Sequence, residues 1–147
     1  MTVPFLSQEW VEAFAQAINE SEAYREHAAT WEHGPVALVV NAAPELGLEE
    51  TRGIWLNLHK GKCREALIVS EAEAEEAPFV IYGDYDQWRG LVEGKFDLLP
   101  ALMRGRLKLK GDLKVIVKYV KAAKDLIAAA QQVPTAFIGG RRLEAHG

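Results

Sequence analysis

Ile81-Tyr82-Gly83-Asp84-Tyr85-Asp86-Gln87-Trp88 leads into Leu91-Val92-Glu93-Gly94. The chain then runs through Asp97-Leu98-Leu99-Pro100-Ala101-Leu102-Met103-Arg104-Gly105 to Arg106-Leu107-Lys108-Leu109-Lys110-Gly111-Asp112-Leu113. Each unit in this stretch changes period, and a glycine or an acidic cap marks most of the changes. Phe79 to Tyr82 is apolar and β-prone, and Gly83 closes it as a strand. Asp84 with Gln87 three residues on fits a capping box, and Tyr85, Trp88, Leu91 and Val92 follow on one helical face. Gly94 stops that helix. Asp97 opens a short apolar helix with Leu98, Leu99, Leu102 and Met103, which Gly105 ends. Arg106 to Lys110 alternates strictly, with leucines to one side and cations to the other, as an edge strand does. Gly111-Asp112 then turns and caps a final helix from Leu113 to about Gln132.

Upstream the pattern is equally segmented. Ser7 is placed as an N-cap, with Leu6 and Val11 positioned as a hydrophobic staple. Trp10, Val11, Phe14, Ala17 and Ile18 recur at helical spacing, so a helix runs to about Asn19. A second short helix spans Ser21 to about Ala29, with Tyr24 and Ala28 inward. Val36, Leu38 and Val40 alternate with Ala37 and Val39. Ile54, Leu56 and Leu58 oppose Trp55, Asn57 and His59. Cys63 to Ser70 makes a third strand after the Lys60-Gly61-Lys62 turn. Short connections between these three predict an antiparallel meander. The acidic run Glu71 to Glu76 reads as a solvated loop or helical turn.

The 147 residues and 16.3 kDa fit one domain spanning 1–147. Within it, residues 1–20 stand as an additional N-terminal helix and 133–147 as a loose C-terminal tail. With 49% hydrophobic and 26% charged residues, the composition is that of a globular chain. The one cysteine, Cys63, excludes an internal disulfide framework. The longest apolar runs, Val36–Val40 and Leu126–Ala130, are far too short to span a bilayer. No secretory leader is visible, so a cytoplasmic protein is expected.

The net charge of −4 hides an asymmetry. Residues 1–100 carry 7 Lys and Arg against 18 Asp and Glu, whereas 101–147 carry 10 against 3. Opposite faces of one domain can simply attract one another. The cluster around Lys108, Lys110, Lys114, Lys118 and Lys121 also suits an anionic surface. Nucleic acid is not expected, because the basic stretch lacks interleaved aromatics beyond Tyr119 and the whole protein is acidic.

The familiar catalytic signatures are missing. There is no phosphate-binding glycine loop, no dinucleotide fingerprint, no His-Glu-x-x-His and no Gly-x-Ser-x-Gly. His27, His33, His59 and His146 lack metal-ligand spacing, so no metal and no cofactor are expected. Cys63 lies between Lys62 and Arg64 but has no motif partner. An enzyme acting on a lipid-like substrate would have to draw on Asp84, Asp86, Tyr85 or His59, and nothing in the spacing assembles them. What stands out is apolar. Projected as one helix, Leu113 to Gln132 is apolar over more than half its circumference, beyond the stripe that packing on one sheet requires. The surplus faces another helix, a dimer partner, a bound lipid or a membrane, and the helices either enclose a cavity or fill it.

The stretch from Ile81 to Leu113 resembles the sterol carrier protein 2 family, and the order of elements matches from about residue 20 to 130. The resemblance implies an α+β fold: a five-stranded, mostly antiparallel sheet covered by helices, with an apolar tunnel between them. It implies a non-enzymatic role in binding or transferring a hydrophobic ligand, and it supplies no catalytic residues. On that reading Ile54, Leu56, Ile68 and Ile81 form the tunnel floor. Trp88, Phe96, Leu99, Leu102, Met103, Val117 and Val120 form its roof. Lys108, Lys110, Lys114, Lys118 and Lys121 meet an anionic membrane or a lipid headgroup. The eukaryotic members' peroxisomal tripeptide is absent. The helix at Ser7 to Asn19 is more similar to prokaryotic stand-alone members, so fatty acids, acyl-CoA and other long-chain lipids stand beside sterol. The other reading is a dimerisation or protein-interaction module with a filled core. As to oligomeric state, monomer and homodimer stay open.

Overall fold

The computed structural model describes residues 2–138. Helix α1 (Gln8–Glu20) starts where Ser7 Oγ accepts from Trp10 N at 3.1 Å, and it buries Trp10, Val11, Phe14 and Ile18. Helix α2 (Glu22–His27) is capped by Ser21 and turns Tyr24 inward. Strands β2 (Val36–Val40), β3 (Arg52–His59) and β4 (Lys62–Ser70) then form the meander. The acidic run becomes the single turn α3 (Glu71–Ala74), where Ser70 and Glu73 cap each other's backbone. Strand β5 (Phe79–Gly83), helices α4 (Tyr85–Val92) and α5 (Leu98–Met103), and strand β6 (Lys108–Lys110) follow.

The sheet order is β4-β3-β2-β5-β6, antiparallel except for the central β2–β5 pair. Register lines up Ile68, Ile54, Leu38, Ile81 and Leu109 as one row across all five strands. Side chains alternate along a strand, so this row and its neighbours Leu56 and Val36 share the face under the long helices. Ala37, Val39 and Val80 take the opposite face, covered by Ala74 and Ala77 of the α3 segment. The leucines of the predicted edge strand do turn inward: Leu107 is buried and Leu109 half-buried.

Three expectations are corrected. The final helix is two: α6 (Leu113–Lys118) and α7 (Val120–Gln132) meet at Tyr119, whose backbone leaves the helical region at φ −105°, ψ 30°. The β-branched run Val115-Ile116-Val117 is crowded in a helix. Tyr119 itself is drawn inward onto Trp31, ring centroids 5.0 Å apart. The wide apolar arc therefore belongs to two separate segments. Ile116 and Tyr119 point in, while Leu113 and Val117 are 40% and 47% exposed.

The second correction concerns the tail. Residues 133–138 are built into the fold, since β7 (Thr135–Ala136) pairs in parallel with β1 (Val3–Pro4). Trp10 Nε1 donates to Thr135 Oγ1 at 2.8 Å, and Phe5 packs against Trp10, Tyr85 and Phe137. Residues 139–147 of the predicted tail lie outside the described residues.

The third correction is the capping box at Asp84. Its carboxylate caps no α4 amide and instead accepts from Asn41 Nδ2 at 2.9 Å, tying the start of α4 to the end of β2. A longer-range amide outcompetes the local one.

Candidate functional site

An apolar void lies between the sheet and the helices. Its floor is Val36, Leu38, Leu56, Leu58 and Ile81. From above come Phe14 of α1, Tyr24 of α2, Trp88 of α4 and Leu98 of α5. Ile116 of α6 and Tyr119 at the helix break complete one side, with Ala122, Leu126 and Ile127 of α7. The volume is about 50 Å³. None of the described residues that line it is charged.

Most polar atoms on this wall are already satisfied by the protein. Trp88 Nε1 donates to the carbonyl of Val39 at 2.8 Å, and Trp31 Nε1 to that of Gly34 at 2.9 Å. The Tyr119 hydroxyl donates to the Thr30 carbonyl at 3.1 Å and lies 2.9 Å from Thr30 Oγ1. Burial drives the Tyr24 phenol well above its ordinary range, with Cys63 and Asp125 adding to the effect, so it stays neutral. His27 Nδ1 and Asp125 Oδ2 sit 2.6 Å apart and join α2 to α7. An uncharged surface with its indoles and the Tyr119 hydroxyl turned onto the protein offers an occupant mainly dispersion and dehydration.

Gly83 makes room for Leu107 and Trp88. A Cβ there would come within 2.3 Å of Leu107 Cδ2 and 3.1 Å of Trp88 Nε1. The small residue that ends β5 thus leaves room for the Leu107 side chain and, beside it, the indole edge. A second apolar void, about 20 Å³, adjoins the first and is bounded by Phe5, Trp10, Val40, Ile54 and Leu91. Phe14, Leu38, Trp88 and Ile127 belong to both walls.

Of the residues picked from sequence, Leu56, Ile81 and Trp88 line the first void, and Ile54 and Trp88 the second. Ile68 is half-buried one strand further out, opposite Ile54. Phe96 is half-buried beneath the Arg106 guanidinium, 5.1 Å from its ring centroid. Leu99, Leu102 and Val120 are half-buried, and Leu98 reaches the void in place of its neighbour Leu99. Met103 and Val117 face outward, at 69% and 47% exposure.

Sequence reasoning missed Phe14, Tyr24, Leu38, Ile116, Tyr119 and Ile127 as lining. Phe14, Tyr24 and Leu38 were already legible as inward-facing. The others depended on the break at Tyr119.

Lys108, Lys110, Lys114, Lys118 and Lys121 are all exposed. Lys110 Nζ donates to the Glu75 carbonyl at 2.8 Å, closing the sheet edge, and Lys118 Nζ lies 5.8 Å from the Tyr119 ring centroid. Lys114 and Lys118, four apart on α6, share a side of that helix.

The catalytic candidates are dispersed. Asp84 is held by Asn41, and the Tyr85 hydroxyl accepts from Ile138 N at 2.8 Å. Among the described residues no group of three His, Cys, Asp or Glu side chains is placed to hold a metal. No helix among them is long and apolar enough to cross a membrane.

The comparisons with known proteins agree with this geometry. The profile of the SCP-2 sterol transfer family matches residues 12–124. A crystal structure of sterol carrier protein 2 is 40% identical, with a TM-score of 0.82, covering 88% of this chain and 98% of that one. A Thermus thermophilus protein, described as possibly a sterol carrier protein, is 38% identical with a TM-score of 0.82, covering 92% and 94%. The apo form of sterol carrier protein 2 from Yarrowia lipolytica shares the fold at 18% identity and a TM-score of 0.54, covering 90% and 97%. No curated protein sequence matches significantly. The five-stranded mixed sheet, the helical layer over it, the profile match and the two structures near 40% identity together establish that the chain belongs to the SCP-2 sterol transfer family.

Proposed function

We propose that this protein binds a lipid with a long apolar chain between the sheet and its helical layer, and carries it without chemical change. The observation behind this reading is the uncharged void whose indoles and Tyr119 hydroxyl are turned onto the protein itself. Each methylene moved from water into such a site contributes roughly 0.8 kcal/mol, so an acyl chain needs no polar contact to be held. Selection is then by length and girth, which suits fatty acids, acyl-CoA and other long-chain lipids as well as sterols. A void of about 50 Å³ is far below the roughly 300–1,000 Å³ of ordinary ligand sites, so the roof lifts to admit cargo.

The part of the roof that moves is α6 with its junction at Tyr119. Leu56, Ile81 and Trp88 touch the ligand, and Ile54 lies deeper. Ile68, Phe96, Leu99, Leu102 and Val120 stand one layer out and join the wall as it opens. Met103 and Val117 sit at the mouth. Lys108, Lys114, Lys118 and Lys121 hold that mouth against an anionic bilayer, while Lys110 braces the sheet edge. The exposed Met103, Leu113 and Val117 would equally suit a second copy of the chain. A clean monomer in sedimentation at micromolar concentration removes that reading.

The test is native mass spectrometry of the purified protein, followed by organic extraction and lipid identification. A discrete bound mass lost on extraction is the expected result. A bare mass that stays unshifted with added fatty acid, acyl-CoA and sterol would overturn the proposal in favour of a filled core.

A further inference from the structure

We infer that Phe14 and Ile127 form a septum that sets how long an apolar chain this protein accepts. The inference rests on the carrier reading above and adds to it the residues that measure the cargo. The two voids, about 50 and about 20 Å³, lie side by side under the same helices. Phe14, Leu38, Trp88 and Ile127 are the side chains common to both walls, so they are what separates one from the other.

Two of the four are fixed. Leu38 sits in the central strand, in register with Ile54 on one side and Ile81 on the other. Trp88 is tied by its buried hydrogen bond to the Val39 carbonyl. The other two come from α1 and α7, which pack directly on each other. The Phe14 ring touches Trp10 in a tilted stack at 5.1 Å, and the Ile127 side chain is half-buried. Both side chains are hydrocarbon, held by dispersion and shape alone, and a lipid tail replaces that kind of contact like for like. Behind them the second void ends against Phe5 and Trp10, packed edge to face at 4.9 Å. A chain that fills the first void therefore stops at the septum or displaces it to gain the second.

Affinity measured along a ladder of saturated fatty acids of increasing even length tests this. Each methylene housed multiplies affinity about fourfold. In the wild-type protein the ladder climbs at that rate and then flattens where the chain meets the septum. Phe14→Ala moves the plateau out by two or more methylenes, a gain of about fifteenfold for the longest acids over wild type. Ile127→Ala, at a half-buried position, moves it in the same direction and carries the test if Phe14→Ala does not fold, which a thermal melt decides. A plateau at the wild-type length in a folded variant overturns the septum while leaving the carrier reading intact, and so does a wild-type ladder with no plateau. Absence of any fatty-acid binding by the wild type overturns both.

Discussion

Trp88 Nε1 donates a buried 2.8 Å hydrogen bond to the carbonyl of Val39, in the strand that also pairs with β3 and β5. The indole thereby joins α4 to the middle of the sheet and stands as a fixed wall of both voids. Trp88→Phe removes that hydrogen bond and adds empty space beside the strand. The expected loss of stability is about 2–4 kcal/mol. Urea unfolding of the two proteins reads it, and an unchanged midpoint would show that the bond holds nothing in place.

Tyr119→Phe removes the hydroxyl that holds the α6–α7 junction to Thr30. One neutral hydrogen bond contributes about 1 kcal/mol, so amides of residues 113–119 should exchange roughly fivefold faster, with the central strands unaffected. Hydrogen exchange with mass detection checks this. Uniform acceleration across the sheet would mean that Tyr119 stabilises the whole domain rather than the roof.

The Cys63 thiol is pushed up to about 11 by burial, against an ordinary 9.0, while a backbone hydrogen bond from Glu65 pulls the other way. The folded state therefore keeps this proton where the unfolded chain has lost it. The stability that follows is complete below about pH 9 and drains away as pH rises toward 11. Tyr24, displaced upward by its own burial, extends the same trend to higher pH. Cys63→Ala should flatten the first part of the decline in a series of melts from neutral to alkaline pH. The native thiol should also resist a disulfide reagent at pH 8 and react once urea is added. Rapid labelling of the native protein would contradict the buried placement.

Neutralising Lys114, Lys118 and Lys121 together by alanine should weaken binding to phosphatidylserine vesicles. At about 1 kcal/mol per cation near an anionic surface, the drop is roughly 150-fold at low ionic strength and shrinks as salt screens it. Co-sedimentation with vesicles measures it. Equal binding of variant and wild type would remove the membrane from the proposal.

Strand parity and caps were legible because they are local. Ile54 and Leu56 are read onto the inner face from alternation, and Ser7 and Asp112 cap the helices that follow them, whereas Asp97 takes the N-cap position of α5 without a side-chain bond. The fold class followed from the resemblance that the run between Ile81 and Leu113 carries to the sterol carrier protein 2 family. What local pattern missed was decided at a distance. Tyr119 breaks a helix that has no proline or glycine at that point, because its ring and hydroxyl are claimed by Trp31 and Thr30. Val117 faces outward there and Ile116 inward, so Ile116 and Tyr119 stand on the wall of the void beside Val117 and Val120. Asp84 was claimed by Asn41, which lies 43 residues earlier. The pairing of Val3–Pro4 with Thr135–Ala136 has no sequence signal, since two-residue strands carry no period.

That last pairing has a kinetic consequence. Contacts between residues 3 and 135 are among the most distant this chain can make, and distant contacts close late because loop entropy opposes them. During synthesis the partner strand is still unmade while α1 and the meander emerge. Trp10 waits for Thr135, and Phe5 for Phe137. The end wall of the smaller void can therefore be completed only when residues 135–137 are free of the ribosome, and a nascent chain stalled short of residue 135 would expose those aromatic rings to whatever chaperone is nearby.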